Sequence, residues 1–183
     1  MAAVSPETPL GTEAPPFALP DPAGVVHRLD TLRGKNGTVV AFICNHCPYV
    51  VAVADRLAPA ARDLRSRDIG FVAIMSNDWT AYPQDAPERM VDFAARYGFD
   101  FPYLIDESQE IAKAYGAVCT PDFFGFDANL KLVYRGRLDE SARMPGPKNA
   151  KRDLVDAMIA VASGQPAPTD QPPAMGCSIK WRG

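Results

Sequence analysis

Thr38-Val-Val-Ala-Phe-Ile-Cys44-Asn-His-Cys47-Pro48-Tyr-Val-Val-Ala-Val53 is the stretch that decides the fold. Its first seven residues are apolar and rich in β-branched side chains. That run suits a buried central strand and is too short for a core helix. After Pro48 the pattern changes. Val50, Val53, Ala54, Leu57, Ala61 and Leu64 recur at spacings of three and four, the period of one helix face. Pro48 fits a first helical turn, where its missing N–H costs nothing. Pro59, inside the same pattern, should kink that helix or end it early.

Outward from this strand–helix unit the chain keeps alternating. Ile69 to Met75 reads as a second buried strand, followed by a loop with Asn77, Asp78, Trp79 and Tyr82. Met90, Phe93, Ala94 and Tyr97 mark a second amphipathic helix. Pro102 to Ile105 is a short strand, and Ser108 to Ala114 a short helix. Phe123 to Phe126 and Leu130 to Tyr134 flank Asp127-Ala-Asn129, a hairpin signal. Asn149 to Ala162 is a last helix. Upstream, Ala14 to Leu29 reads as two short strands around a turn at Asp21–Gly24. Early alternation gives parallel strands and the hairpin adds antiparallel ones. The expectation is an α/β chain: a central mixed β-sheet flanked by helices, with an N-terminal β-hairpin extension.

The 183 residues are enough for one domain with a real core, and 47% hydrophobic with 22% charged is ordinary for a globular chain. A net charge of −3 does not point to a nucleic-acid or membrane-surface partner, although it leaves room for a local basic patch. No stretch is apolar enough to span a membrane, and the N-terminal residues lack a signal-peptide pattern. A cytoplasmic location is therefore expected. Four cysteines in a reducing compartment are buried thiols, metal ligands or redox groups rather than a disulfide framework.

Cys47, placed just before a helix, would face free N–H groups that favour its reactive thiolate. Cys44-Asn-His-Cys47 has dithiol spacing. Fully extended, the two Cα atoms would lie roughly 10 Å apart, beyond disulfide reach, whereas a turn at Asn45-His46 would bring them together. Cys44, His46 and Cys47 would also suit Cu or Zn, which makes a non-enzymatic metal- or partner-binding protein the alternative. Asn77 and Asp78 follow a parallel strand at its functional edge and are candidates for holding a substrate, or for simple turn chemistry.

Phe42-Ile-Cys44-Asn-His-Cys47-Pro48, joined with Thr120-Pro121, resembles the thioredoxin-like superfamily. The opening Gly11-x-x-Ala14-Pro-Pro-Phe17 resembles its peroxiredoxin and membrane-anchored thioredoxin branch. Cys44 to Val50, Ser76-Asn-Asp78, Tyr82-Pro-x-Asp85-x-Pro87, Tyr115 to Phe124 and Gly176-Cys-Ser-Ile-Lys-Trp181 resemble the peroxiredoxin-like redoxins, which are related to the thiol-specific antioxidants. The resemblance implies a redoxin domain over 11–164 and a proline-rich tail over 165–183, docked on it. It implies a cysteine-based thiol-disulfide oxidoreductase or thiol-dependent peroxidase, with no cofactor and no resident metal. Cys47 would attack, with Cys44 ranked first as its partner because Asn45-His46 can form a turn, Cys177 on the tail a close second, and Cys119 third. Thr120, a cis Pro121, Asn77, Asp78, His46 and Pro48 would line the substrate site. The partners implied are a thiol reductant and a disulfide-bearing protein or peroxide, met by a monomer or homodimer.

The departures are specific. The second cysteine of thioredoxin would fall on Val50, and that of copper-handling redoxins on Val51. The proline and threonine that precede a peroxidatic cysteine are here Val40 and Cys44.

Overall fold

The structure is a computed structural model, and it describes residues 2–183. Its frame is a five-stranded sheet. Strands β4 (Gly37–Phe42), β5 (Ile69–Met75) and β6 (Tyr103–Ile105) run parallel; β8 (Asp122–Phe126) and β9 (Leu132–Gly136) continue it antiparallel, in the spatial order β6-β5-β4-β8-β9. All six residues of β4 are buried, because it lies in the middle with both faces covered. Alternation along β4 sends Val39 and Ala41 to one core and Val40 and Phe42 to the other.

The first core is closed by α3 (Ala54–Arg65), α4 (Pro87–Arg96) and α6 (Asp153–Ala162), through Leu57, Ala61, Leu64, Met90, Phe93, Leu154 and Met158. The second is closed by α5 (Glu110–Tyr115), the short α1 (Leu29–Leu32) and the hairpin of β2 (Ala18–Pro20) and β3 (Val26–Arg28). There Phe42 meets Tyr115 and Phe124 edge-on, with ring centres 5.4 and 5.7 Å apart. The architecture is the mixed sheet between helices, with an N-terminal hairpin, that the sequence implied. Among the described residues no helix is long and apolar enough to cross a membrane.

Five points differ from the sequence reading. The helix after Cys47 is two helices: α2 (Pro48–Val51) stops, and α3 begins at Ala54. At the joint, Val53 and Arg56 donate to carbonyls three residues back, a tightened turn. Pro59 does not end α3. The buried face of Leu57, Ala58, Ala61 and Leu64 carries the helix past the one hydrogen bond that proline removes. The hairpin turn is longer than expected. Asp127 Oδ1 accepts the N–H groups of Asn129 and Lys131, and Leu130 sits at φ 59°, so β9 starts at Leu132. Gln109, at φ 63°, delays α5 to Glu110, and α6 starts at Asp153, whose carboxylate is held by Arg137 at 2.7 Å.

The remaining strands form a second, three-stranded sheet. β10 (Met175–Ser178) lies antiparallel between β1 (Ala2–Val4) and the two-residue β7 (Cys119–Thr120). Ile179, just beyond, is buried in the second core. This small sheet abuts the end of β4 where the quoted stretch turns into α2.

Candidate active site

Cys44 and Cys47 bracket the turn at the end of β4. Asn45 and His46 make that turn, and a buried carboxylate fixes it. Asp85, with no exposed surface, accepts the Asn45 N–H at 2.8 Å and the Asn77 side-chain amide at 2.8 Å; His46 Nδ1 lies 2.8 Å from its second oxygen. Tyr103 donates its hydroxyl to Asn45 Oδ1 at 2.9 Å. The turn therefore brings the two thiols together, close enough that Cys44 influences Cys47 more than any other group does.

Cys47 caps α2, but α2 is one turn long, so no extended helix dipole acts on the sulfur. The local hydrogen bonds act instead. The bond from Cys44 is the largest influence lowering the Cys47 pKa, burial opposes it, and the Cys177 thiol, the Cys177 N–H and the Val50 N–H add to the lowering. The result is a thiol brought down to about 5. One contact works the other way: as a thiol, Cys47 donates to the Thr120 carbonyl oxygen at 3.1 Å, which favours the protonated form.

Cys44 is the complement. Donating to Cys47, burial and the Asp85 charge all push its own pKa well up, so it keeps the proton it shares. Its sulfur also lies 3.3 Å from Thr120 Oγ1. Cys177 is raised to about 11, by burial first and then by its bond to Cys47. His46 is raised, chiefly through Asp85, which keeps a positive charge beside Cys47 to higher pH.

Thr120 and Pro121 stand over these sulfurs, and the peptide between them is cis. Cys177 pairs with Thr120 in the β10–β7 register. Cys119 does not join the cluster. One residue earlier on the strand it takes the opposite side, shares no hydrogen bond with Cys47, and is raised to about 12 by burial and then by the Asp122 charge.

Asn77 and Asp78 hold the chain's own C-terminal segment rather than an open pocket. Asn77 Oδ1 accepts the Lys180 N–H at 2.9 Å, and the Asp78 N–H donates to the Lys180 carbonyl at 2.8 Å. Pro48 occupies the first position of α2. Ligand atoms of Cys44, His46 and Asp85 lie within 4.8 Å of one another. The set that could face a metal thus contains Asp85 in place of Cys47, whose sulfur turns to Thr120. His46 Nδ1 and Asp85 are in direct contact within this set, at 2.8 Å.

This geometry belongs to a recognisable lineage. The Redoxin family model matches residues 9–154. The chain belongs to the Redoxin family. Its fold is the thioredoxin-like one. A crystal structure of an uncharacterized conserved protein from Geobacillus kaustophilus is 48% identical to this redoxin, with a TM-score of 0.94 over 100% of this chain and 97% of that one. Thiol-disulfide oxidoreductase ResA of Geobacillus thermodenitrificans is 30% identical over 67% of this redoxin and 66% of its own length. A Mycobacterium tuberculosis protein carrying the name of a peroxiredoxin is 29% identical over 63% of this chain and 68% of its own. This redoxin thus spans about two thirds of the length of those curated relatives.

Two residues that organise the site were not singled out from the sequence. Asp85 lay inside the quoted Tyr82-Pro-x-Asp85-x-Pro87 motif; an acidic residue between two prolines in a short loop was the available signal. Gln109 donates to the Ser76 and Lys180 carbonyls at 2.7 Å each, and nothing in its sequence surroundings announces that.

Proposed function

We propose that this redoxin is a thiol-based oxidoreductase in which Cys47 attacks and Cys177 resolves. The observation that carries the reading is the β10–β7 register, which sets Cys177 opposite Thr120, the residue whose carbonyl meets the Cys47 sulfur. Cys47 has the lowered pKa that an attacking thiol needs.

With a disulfide as oxidant, the Cys47 thiolate attacks one sulfur and the other departs as a thiolate that takes up a proton. With a hydroperoxide, the O–O bond breaks, Cys47 becomes a sulfenic acid, and an alcohol or water leaves. In both cases the Cys177 sulfur then attacks Cys47, releasing the substrate thiol or water and leaving a Cys47–Cys177 disulfide. An external thiol reductant restores both cysteines, and the reading takes the compartment to be a reducing one, such as the cytoplasm. His46, whose pKa is raised chiefly by Asp85, carries its charge to higher pH and adds to the stabilisation of the Cys47 thiolate.

Peptide mapping after one equivalent of hydrogen peroxide or of a small disulfide tests this. The expected product is Cys47 joined to Cys177. A Cys44–Cys47 bridge would move the resolving role to Cys44. Accumulation of Cys47 sulfinic acid with no disulfide would sink the two-thiol scheme.

A further inference from the structure

The short strand β7 ends at the reactive sulfur, and strand edges recruit extended peptides through their backbone groups. Here that edge is already taken. Cys177 pairs with Thr120 and Ser178 with Cys119, and β10 is covered on its far side by β1, with Ala2 opposite Cys177 and Val4 opposite Met175. The fit is close at Gly176. A Cβ there would fall 1.8 Å from the Thr120 oxygen and 3.0 Å from Pro121 N. Only glycine lets this backbone approach so near.

Both ends of β10 are tied down. Before it, Ser5 N donates to the Ala174 carbonyl at 2.9 Å and Ala174 N to Ser5 Oγ at 3.0 Å. After it, Ile179 N donates to the Val118 carbonyl at 3.0 Å, and the Ile179 side chain is buried. The Lys180 carbonyl accepts from Gln109, and Arg182 N donates to Gln109 Oε1 at 2.8 Å. Cys47 itself has no exposed surface beneath this cover.

We propose that β10 is a built-in occupant of the peptide-pairing edge beside Cys47, so that the docked protein reacts with small disulfides and excludes disulfides carried on extended peptides. The proposal rests on Cys47 being the attacking thiol. Cys47 has no exposed surface, so a small reactant needs a momentary side-chain opening over one sulfur atom, with β10 still paired to β7. A peptide that pairs with Thr120 needs the hydrogen bonds that β10 now makes, and must wait for β10 to lift. When it does, the Cys47 thiolate attacks one peptide sulfur, a new S–S bond forms as the old one breaks, and the departing thiolate takes a proton from water.

The test is single-turnover formation of the mixed disulfide on Cys47, followed by intact mass. All proteins carry Cys177→Ser so that the adduct persists. Two probes are compared: a small symmetric disulfide and an extended peptide with a disulfide at its centre. The readout is the ratio of the peptide rate to the small-disulfide rate. Gly176→Val, whose side chain must push β10 off Thr120, should raise this ratio by about tenfold or more. Ile179→Ala loosens the anchor without touching β10 or Cys47, and should raise it in the same direction. It serves as the second variant if Gly176→Val does not fold. An unchanged ratio in a folded variant overturns the proposal. So does peptide adduct formation while the Cys177→Ser and Ser178 amides stay protected from hydrogen exchange. Adducts that persist when Cys47→Ser is added would instead refute the functional reading itself.

Discussion

Replacing Cys44 by alanine should make Cys47 a weaker acid, and the structure sets the size of the effect. The Cys44 hydrogen bond is the largest influence lowering the Cys47 pKa, which stands at about 5. Hydrogen bonds to charged groups contribute about 1.5–3 kcal/mol, and 1.36 kcal/mol corresponds to one pH unit, so the span is roughly one to two units. A thiol is a weak donor, which favours the lower end, an upward move of about one unit. The assay is the ultraviolet absorbance of the thiolate against pH, in a Cys119→Ser background, checked by the pH profile of alkylation at Cys47. Cys44→Ser keeps a donor of similar size and should hold the midpoint near that of the parent. Cys44 is almost fully buried, so Cys44→Ala also leaves a small cavity, but a cavity alone has no reason to move a titration. A midpoint that stays put in Cys44→Ala, or that moves as far in Cys44→Ser, would refute the donor role.

Cys47 and the Asp122–Arg135 pair set the remaining expectations. Cys47→Ser should abolish turnover and remove the fast-alkylating thiol; residual turnover would be measured with the same peroxide or disulfide. Because the Cys47 pKa is lower folded than unfolded, its stabilisation is full above about pH 8.5, the unfolded value, and is lost as pH falls through about 5. Urea midpoints of the parent should therefore drop relative to Cys47→Ser over that interval; parallel curves would contradict the lowered pKa. Asp122→Asn should cost about 3–5 kcal/mol, because it leaves the Arg135 guanidinium, 2.8 Å away and nearly buried, without its counter-charge. Replacing the pair together, Asp122→Leu with Arg135→Met, should recover most of that loss in thermal or urea unfolding.

The parts legible in the sequence are those whose physics is local. β4 and β5 are unbroken apolar runs, and the Asp21–Gly24 turn sits between two short strands as its residues predict. The break between α2 and α3 left no such mark, since Val50 to Ala54 keep the apolar period straight through it. β10 was not legible either. Met175-Gly-Cys-Ser178 has no alternation and little β propensity, and it is a strand only because β1 and β7 supply its partners. For the site, Cys47 was readable from motif and spacing, and Thr120-Pro121 from the family resemblance. The roles of Asn77, Asp78 and Asp85 were not, because each is defined by a partner distant in sequence: Lys180 for the first two, Asn45 and His46 for the third.

The three-stranded sheet also has a consequence for the order of assembly. β4, β5 and β6 join by successive short crossovers, whereas the Ala2–Cys177 pairing closes a loop nearly as long as the chain. Loop-closure entropy delays such contacts until the rest of the chain has drawn their ends together. The central sheet should therefore form first and β1–β10–β7 last. During that interval Cys44, Cys47 and Cys177 are uncovered, and a nascent molecule meeting oxidant could join the wrong sulfurs. Pulse-labelling during refolding should find the amides of Val39 to Phe42 protected before that of Cys177, and refolding yield should rise with added reductant.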